Sequence, residues 1–278
     1  MSIHTLTSYS TDLEQFSTYL QEFYEESDPG TANAVMIRSW MVQLSESGIA
    51  NRSIRRKMSA LKSFYRYLIK QGSIAGNPLT SIISPKISKR LPIYVEERAM
   101  AQLFRDTDFP EGFKGVRDHL IVTLFYETGI RLSELISLKE GSIERSRGMM
   151  KVLGKRNKER MVPISDVVLA QIDKYLDEKS KFPQAEGDFL LLSDSGKKLY
   201  PKFVQRKVNY YLGEVSTLEK RSPHVLRHTF ATHMLNNGAD LNAIKEILGH
   251  ANLAATQVYT HNSIEKLKQV HRLTHPRG

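Results

Sequence analysis

The hydrophobic positions of residues 1 to 70 recur every three or four residues, in three blocks that turn-forming residues separate. The first block runs from Leu6 to Phe23, and the Asp-Pro-Gly stretch at 28–30 ends it. A second block extends from about Ala34 to Ser45, and a third begins at Asn51 or Ser53. This spacing places apolar side chains on one side of an α-helix, so three amphipathic helices are predicted. The predicted buried side of the third helix consists of Ile54, Met58, Leu61, Phe64, Tyr65 and Leu68.

The periodic pattern lapses between Gly72 and Pro92. Glycine, asparagine and proline are interspersed there with Lys86, Lys89 and Arg90. This composition is typical of an extended basic linker. The chain is therefore predicted to consist of an N-terminal helical domain at 1–84, a linker at 85–93 and a second domain at 94–278.

The second domain shows both periodicities. Two short alternating segments, Met149–Leu153 and Arg160–Ile164, flank the basic sequence GKRNKE and predict a β-hairpin. The other apolar blocks have helical spacing, and the fold class predicted is mainly α, with a small β-hairpin or sheet in a mixed, mostly α second domain. Helices are predicted at about 95–105, 118–128, 167–176, 197–212, 222–236 and 240–248.

The charge balance indicates a polyanionic partner. The chain has 40 Lys and Arg against 30 Asp and Glu, a net charge of +10 and a pI near 9.6. The outer face of the third helix is almost purely cationic, which fits either phosphate contact or simple solvation. That face contains Arg52, Arg55, Arg56, Lys62, Arg66 and Lys70.

Cysteine is absent, so neither a disulfide framework nor a thiol nucleophile is available. No apolar run has the length of a membrane span, and no secretory signal precedes the first helix. A cytoplasmic location without membrane contact is the expectation.

Residues with anion-binding chemistry gather near the C-terminus. Ser222 and Pro223 favour a helix start, which places His224 and Arg227 in its opening turns, where unpaired N–H groups and the helix dipole favour an anion. The spacing of His224 and His228 is also compatible with zinc. However, Cys and the Glu of an HExxH motif are missing, and Arg227 would repel a cation, so no metal or cofactor is predicted.

Several motifs resemble those of the tyrosine recombinases, the family that includes phage integrases and Xer proteins. The resemblance rests on LRHTFATHMLNNGADL from Leu226, the ILGH that ends at His250, TQVYTH around Tyr259, the terminal HPRG, and GIRLSEL around Arg131. It implies an N-terminal SAM-like core-binding domain that grips DNA and a C-terminal catalytic domain.

The resemblance also implies a role for each site residue. Arg131 and Arg227 would clamp the scissile phosphate with His250 as a further donor, and Glu134 would be the partner of Arg131. Tyr259 would be the nucleophile that forms a 3′-phosphotyrosyl bond, and His224 its base. Lys155 would be the general acid, with Lys158 as the alternative because Arg156 stands where the family commonly has glycine.

Double-stranded DNA with an inverted-repeat site is the implied partner. The protein would act on two duplexes as a homotetramer, or as a heterotetramer with a homologous recombinase, in chromosome dimer resolution with a DNA translocase as regulator. The apolar row Ile264, Leu267, Val270 and Leu273 would reach a neighbouring protomer, or else pack on its own domain. Three other functions stay open: an integrase of a mobile element, a type IB topoisomerase, and a DNA-binding accessory protein with a vestigial site.

Overall fold

A computed structural model describes residues 3–86, 93–154, 158–181, 187–249 and 261–277 of the chain. The chain forms two compact units, Met1–Arg90 and Leu91–Gly278. Most of the predicted linker at 85–93 lies outside the described residues, so its bounds stay a prediction. Within the described ranges, no helix combines the length and the apolarity that crossing a membrane requires.

The first unit contains the three predicted helices. They are α1 (Ile3–Tyr24), α2 (Ala34–Glu46) and α3 (Asn51–Lys70). Asn33 caps α2, because its side chain accepts hydrogen bonds from the backbone N–H groups of Val35 and Met36. The core of the unit lies between the helices and consists of Phe16, Leu20, Ile37, Trp40, Ile54, Met58, Leu61 and Tyr65.

The cationic face of α3 is partly committed to a contact with α1. Asp12 is fully buried, and the guanidinium of Arg56 and the ammonium of Lys57 both bind its carboxylate. A buried carboxylate without such partners would be strongly destabilising. Arg56 is therefore engaged within its own unit, whereas the other five predicted cations of this face are exposed.

The second unit is mostly helical with one small sheet, so the predicted fold class is confirmed. Strands β1 (Ile143–Glu144), β2 (Met149–Leu153) and β3 (Glu159–Pro163) form an antiparallel sheet in that order, with Val152 opposite Arg160. The hairpin was predicted and the two-residue β1 was not, because so short a strand has no periodicity. The helices are α4 (Glu97–Asp106), α5 (Phe113–Thr128), α6 (Leu132–Ile136), α7 (Asp166–Ser180), α8 (Pro201–Val215), α9 (Pro223–Asn236), α10 (Leu241–Leu248) and α11 (His261–Thr274).

Helix α5 is the centre of this unit. It packs against α7 and α9, and its side chains are buried from Val116 to Thr128 except for the partly exposed His119. It begins at Phe113, five residues before the predicted start at Asp118. The sequence pattern missed these five residues because they end in Arg117, which is fully buried and bonded to Asp118 and Asp194.

Apolar positions at the ends of two helices stay exposed. The apolar pattern of the helix at 222–236 predicts Leu235 on its core-facing side, but Leu235 is 50% exposed, and Leu273 in the apolar row of α11 is 67% exposed. In α11 the spacing of three accumulates an error, since nine residues at about 3.6 per turn place Leu273 half a turn from the buried Ile264.

The C-terminal helix α11 packs on its own unit in this chain. Ile264 and Leu267 are buried, and the rings of His271 and His275 donate to the backbone oxygens of Glu127 and Tyr126 in α5. The preferred expectation was a contact with a neighbouring protomer. In the single chain the helix packs on its own unit, through polar contacts that the apolar row did not reveal, and the contact with a neighbouring protomer stays a prediction.

Candidate active site

The C-terminal ends of α5 and α10 meet beside α9 in the second unit. Helix α5 ends at Gly129 with a left-handed φ of 58°, and α10 ends at Gly249 with a φ of 65°. A Cβ on Gly129 would lie 2.5 Å from a ring carbon of Phe230 and 2.7 Å from a methyl carbon of Leu248. Glycine is therefore required there both by the backbone angle and by the close approach of α9 and α10.

Arg131 connects the start of α6 with the end of α10. Its backbone N–H and its Nη1 donate to the two carboxylate oxygens of Glu134, at 2.7 and 2.8 Å. Its Nη2 donates to the carbonyl of Gly249 at 2.9 Å. The predicted pairing with Glu134 is confirmed, and 35% of the Arg131 side chain stays exposed. The guanidinium can thus reach a ligand without leaving its partners.

Arg227 lies in the second turn of α9 and is 6% exposed. Its Nη1 donates to the carbonyl of Gly129, and its Nη2 donates to the carbonyl of Leu248 at 2.7 Å. Burial, together with the nearby charges of Arg131 and Arg160, lowers the pKa of this guanidinium to about 9. Arg227 still carries its charge at neutral pH, and an anion would relieve the repulsion.

Arg160 is a third arginine of this cluster, and the sequence pattern predicted it only as the start of a strand. It is 6% exposed, and its Nε donates to the carbonyl of Ile247 at 2.8 Å. Its Nη1 and Nη2 bind the two carboxylate oxygens of Glu134 at 2.7 and 2.9 Å. The available signal was the alternation of β3, which places Arg160 on the same inward face as Val162.

Glu134 is the shared partner of two arginines. Burial by itself raises the pKa of its carboxyl, but the hydrogen bonds and charge of Arg160, together with the bonds from Arg131, lower it to about 2. The cluster therefore contains three guanidinium groups and one carboxylate. This net positive charge, on side chains that are mostly buried, suits a phosphate group.

The remaining predicted site residues are described less completely. His224 is exposed in the first turn of α9, with its ring centroid 5.3 Å from that of His228. Ser222 is the N-cap of α9 by position, although its side chain makes no capping bond. The predicted residues Lys155, His250 and Tyr259 lie outside the described residues. The alternative Lys158 is described and exposed.

Comparisons with known proteins give matches to two family models and to relatives along nearly the whole chain. The model of the phage integrase family matches residues 95–266, and the model of the phage integrase N-terminal SAM-like domain matches residues 1–72. Tyrosine recombinase XerC of Chlorobaculum parvum is 36% identical over 302 residues, which cover 99% of this chain and 90% of the relative. Tyrosine recombinase XerC of Pelobacter propionicus is 39% identical over 282 residues, which cover 100% and 91%.

Solved structures share the fold at lower identity. The XerH site-specific recombinase bound to palindromic difH substrate has a TM-score of 0.75 at 21% identity, over 95% of this chain and 78% of that one. A lambda integrase dimer bound to a COC′ core site has a TM-score of 0.68 at 18% identity, over 93% of each chain.

Proposed function

Because this chain belongs to the phage integrase family, as a tyrosine recombinase of the Xer type, we propose that it cleaves and rejoins DNA at a specific inverted-repeat site through a 3′-phosphotyrosyl intermediate. Its biological role would be the resolution of chromosome dimers. The observation that carries the proposal is the convergence of Arg131 and Arg227 on the last turn of α10, directly before His250 in the chain.

The two arginines supply the charge that this reaction needs. A phosphodiester is an anion, so attack by a phenolate is slow until the nonbridging oxygens are neutralised. A guanidinium has five N–H donors in one plane, and two of those of Arg227 bind backbone carbonyls. The remaining donors are available to phosphate oxygens, and Arg131 and His250 would bind the same group.

The proposed step balances without a metal ion or ATP. The Tyr259 hydroxyl transfers its proton to His224, and its oxygen attacks phosphorus to form the phosphotyrosyl bond. The bond from phosphorus to the 5′ oxygen breaks, and Lys155 gives that oxygen a proton. A 5′ hydroxyl from a second duplex then reverses the step, because the phosphotyrosyl bond conserves the energy of the phosphodiester.

DNA binding by the first unit would use the exposed face of α3. Arg52, Arg55, Lys62, Arg66 and Lys70 are exposed along this helix. Each lysine or arginine that contacts a phosphate releases counterions, so binding should weaken steeply with salt. A matched pair of variants tests this face. Arg55→Gln should lower the slope of log affinity against log salt by about one, whereas Glu22→Gln on the exposed part of α1 should not lower it.

The active assembly would be a tetramer on two duplexes, built of this chain alone or with a homologous recombinase. Size-exclusion chromatography with light scattering on site DNA measures the number of protomers. A defect that only a homologous recombinase repairs would identify the heterotetramer, and stimulation by a DNA translocase would identify the regulator.

Covalent trapping tests the function. The protein and its Tyr259→Phe variant are incubated with nicked duplexes that carry inverted repeats from the replication terminus of the host chromosome. A 3′-linked adduct that survives denaturation with the native protein alone is the expected result. Equal behaviour of the two proteins, with and without a homologous recombinase, would contradict it and leave the accessory-protein alternative.

Two alternatives predict other outcomes of the same assays. A type IB topoisomerase would relax supercoiled plasmid as a monomer, without a specific site. An integrase of a mobile element would form adducts with the ends of that element rather than with terminus repeats.

A further inference from the structure

The Arg160 side chain lies against two glycines of the cluster. A Cβ on Gly249 would lie 2.9 Å from its Cδ and 3.0 Å from its Nε. A Cβ on Gly154 would lie 3.7 Å from its Nη1 and 3.6 Å from the Oε1 of Glu134. One buried side chain therefore contacts the end of β2, the end of α10 and the carboxylate that Arg131 uses.

We propose that Arg160 is a positioning residue for strand cleavage. It holds Glu134 and the last turn of α10 so that Arg131 and Arg227 direct their remaining N–H groups at the phosphate. This inference rests on the proposed function of the site and adds a residue to it that the sequence motifs do not single out.

Arg160 acts through other residues rather than on the substrate. It is 6% exposed, and all three of its side-chain nitrogens donate to partners within the protein. Two of these bonds go to the Glu134 carboxylate, so the charge of Arg160 is already paired within the protein. Its effect on the reaction must pass through Glu134 and through the carbonyl of Ile247.

The bidentate contact of Arg160 with Glu134 determines how Glu134 contacts Arg131. Because Arg160 binds both carboxylate oxygens, the side chain of Arg131 contacts only Oε1 of Glu134 and keeps the donors that neither Glu134 nor Gly249 uses. Without Arg160, Oε2 would keep only the backbone N–H of Arg131 as a partner, and the carboxylate would bind the Arg131 guanidinium more fully, which lowers the positive charge offered to the phosphate.

The bond to Ile247 fixes the carbonyls that the two catalytic arginines use. Ile247, Leu248 and Gly249 are consecutive, and their carbonyls accept from Arg160, Arg227 and Arg131 respectively. A shift of this turn would move both arginines, and misplacement by about 1 Å can cost on the order of 10²-fold in rate. A lysine at position 160 keeps the charge but cannot make three bonds in these directions.

The test compares Arg160→Lys with the native protein on two nicked duplexes. Both carry the terminus repeat at which the native protein forms its covalent adduct. One has a normal scissile phosphate, and the other has a methylphosphonate, which is neutral and needs less help from arginine. Single-turnover adduct formation, DNA affinity and thermal unfolding are measured. Lys151→Gln is the matched control, because it removes an exposed ion pair to Glu159 in the same hairpin.

The expected result is cleavage of the normal duplex slower by about 10²-fold, with DNA affinity within about 2-fold and a defect of at most about 3-fold on the methylphosphonate. The control should cleave both duplexes at the native rate. Native cleavage by a folded Arg160→Lys protein would overturn the proposal, and so would equal slowing on both duplexes, which indicates a purely structural effect.

A second variant keeps the test decisive if Arg160→Lys does not fold. Arg160→Met combined with Glu134→Gln removes the buried pair together, which is often tolerated where removal of one partner is not. This double variant should fold and show the same selective defect. If the native protein itself forms no adduct on either duplex, the proposed function fails, which is a different outcome from a selective defect of the variants.

Discussion

Arg160 binds both carboxylate oxygens of Glu134, at 2.7 and 2.9 Å, and through that carboxylate it is linked to Arg131. This link connects the hairpin strand β3 with the start of α6. The carbonyls of the α10 end complete the cluster, so the proposed phosphate clamp is a property of several elements together and not of any one helix.

Substitution of Arg131 by lysine should abolish most cleavage. Lysine keeps the charge but lacks the planar fork that contacts Glu134, Gly249 and a phosphate at once. Loss of one such donor from a phosphate site costs about 10²- to 10³-fold in rate. Single-turnover adduct formation measures this, and Arg105→Lys is the control, since Arg105 is exposed and pairs only with its neighbour Asp106. Native rates for Arg131→Lys would remove Arg131 from the catalytic set.

Removal of the Glu134 carboxylate should destabilise the protein strongly. In Glu134→Gln the buried Arg160 loses its counter-charge, which typically costs about 3–5 kcal/mol of unfolding free energy. Urea unfolding measures the difference. Glu144→Gln breaks the exposed pair with Arg147 and should cost less than about 1 kcal/mol. Equal small effects of the two variants would show that the buried pair is not needed for folding.

The Glu134 carboxylate makes a contribution to the free energy of unfolding that acid removes. The pKa of Glu134 is about 2 in the folded protein and near 4.5 when unfolded, so its contribution is fully present above pH 4.5. It is lost as pH falls toward 2, because the unfolded chain then binds the proton more tightly. The size is on the order of 3 kcal/mol. The difference in unfolding free energy between the native protein and Glu134→Gln, measured in urea, should shrink by about 2 kcal/mol between pH 5 and pH 3.

The buried histidines of the C-terminal segment should also make the protein less stable as the pH falls, in a higher pH range than Glu134. Burial, together with the charges of His271, Arg277 and His233, lowers the pKa of His275 to about 3. The unfolded chain takes up a proton below pH 6.5 and the folded chain does not, so stability falls by about 1.4 kcal/mol per pH unit for this histidine. His275→Gln should flatten the dependence between pH 6 and 4, and an unchanged slope would contradict the predicted neutral state.

Alanine at Gly129 should be far more costly than alanine at another left-handed glycine. Gly148 has a φ of 57°, similar to the 58° of Gly129, but its nearest neighbour to an added Cβ is 3.5 Å away. Both variants should lose about 1 kcal/mol from backbone strain. Gly129→Ala should lose roughly 1–3 kcal/mol more, because the new methyl overlaps Phe230 and Leu248. Thermal unfolding compares the two variants. Equal losses of stability would show that α9 and α10 can move away from the new methyl group without destabilising the protein.

Local patterns in the sequence determined most of the secondary structure. Apolar spacing indicated α1, α2 and α3, alternation indicated the β2–β3 hairpin, and a glycine marked the end of α5 and of α10. These features depend on the nearest residues along the chain, and a single sequence records them directly. The motifs around Arg131 and Arg227 likewise identified the protein family.

Only the tertiary structure decided which polar side chains meet. Asp12 with Arg56, Arg160 with Glu134, and His275 with the backbone of α5 are pairs between residues more than twenty positions apart. Each of these contacts exists because burial removes water from a polar group, and the group then requires a partner wherever the fold places one. The sequence states which residues are polar, whereas packing determines which of them are buried and what they bind.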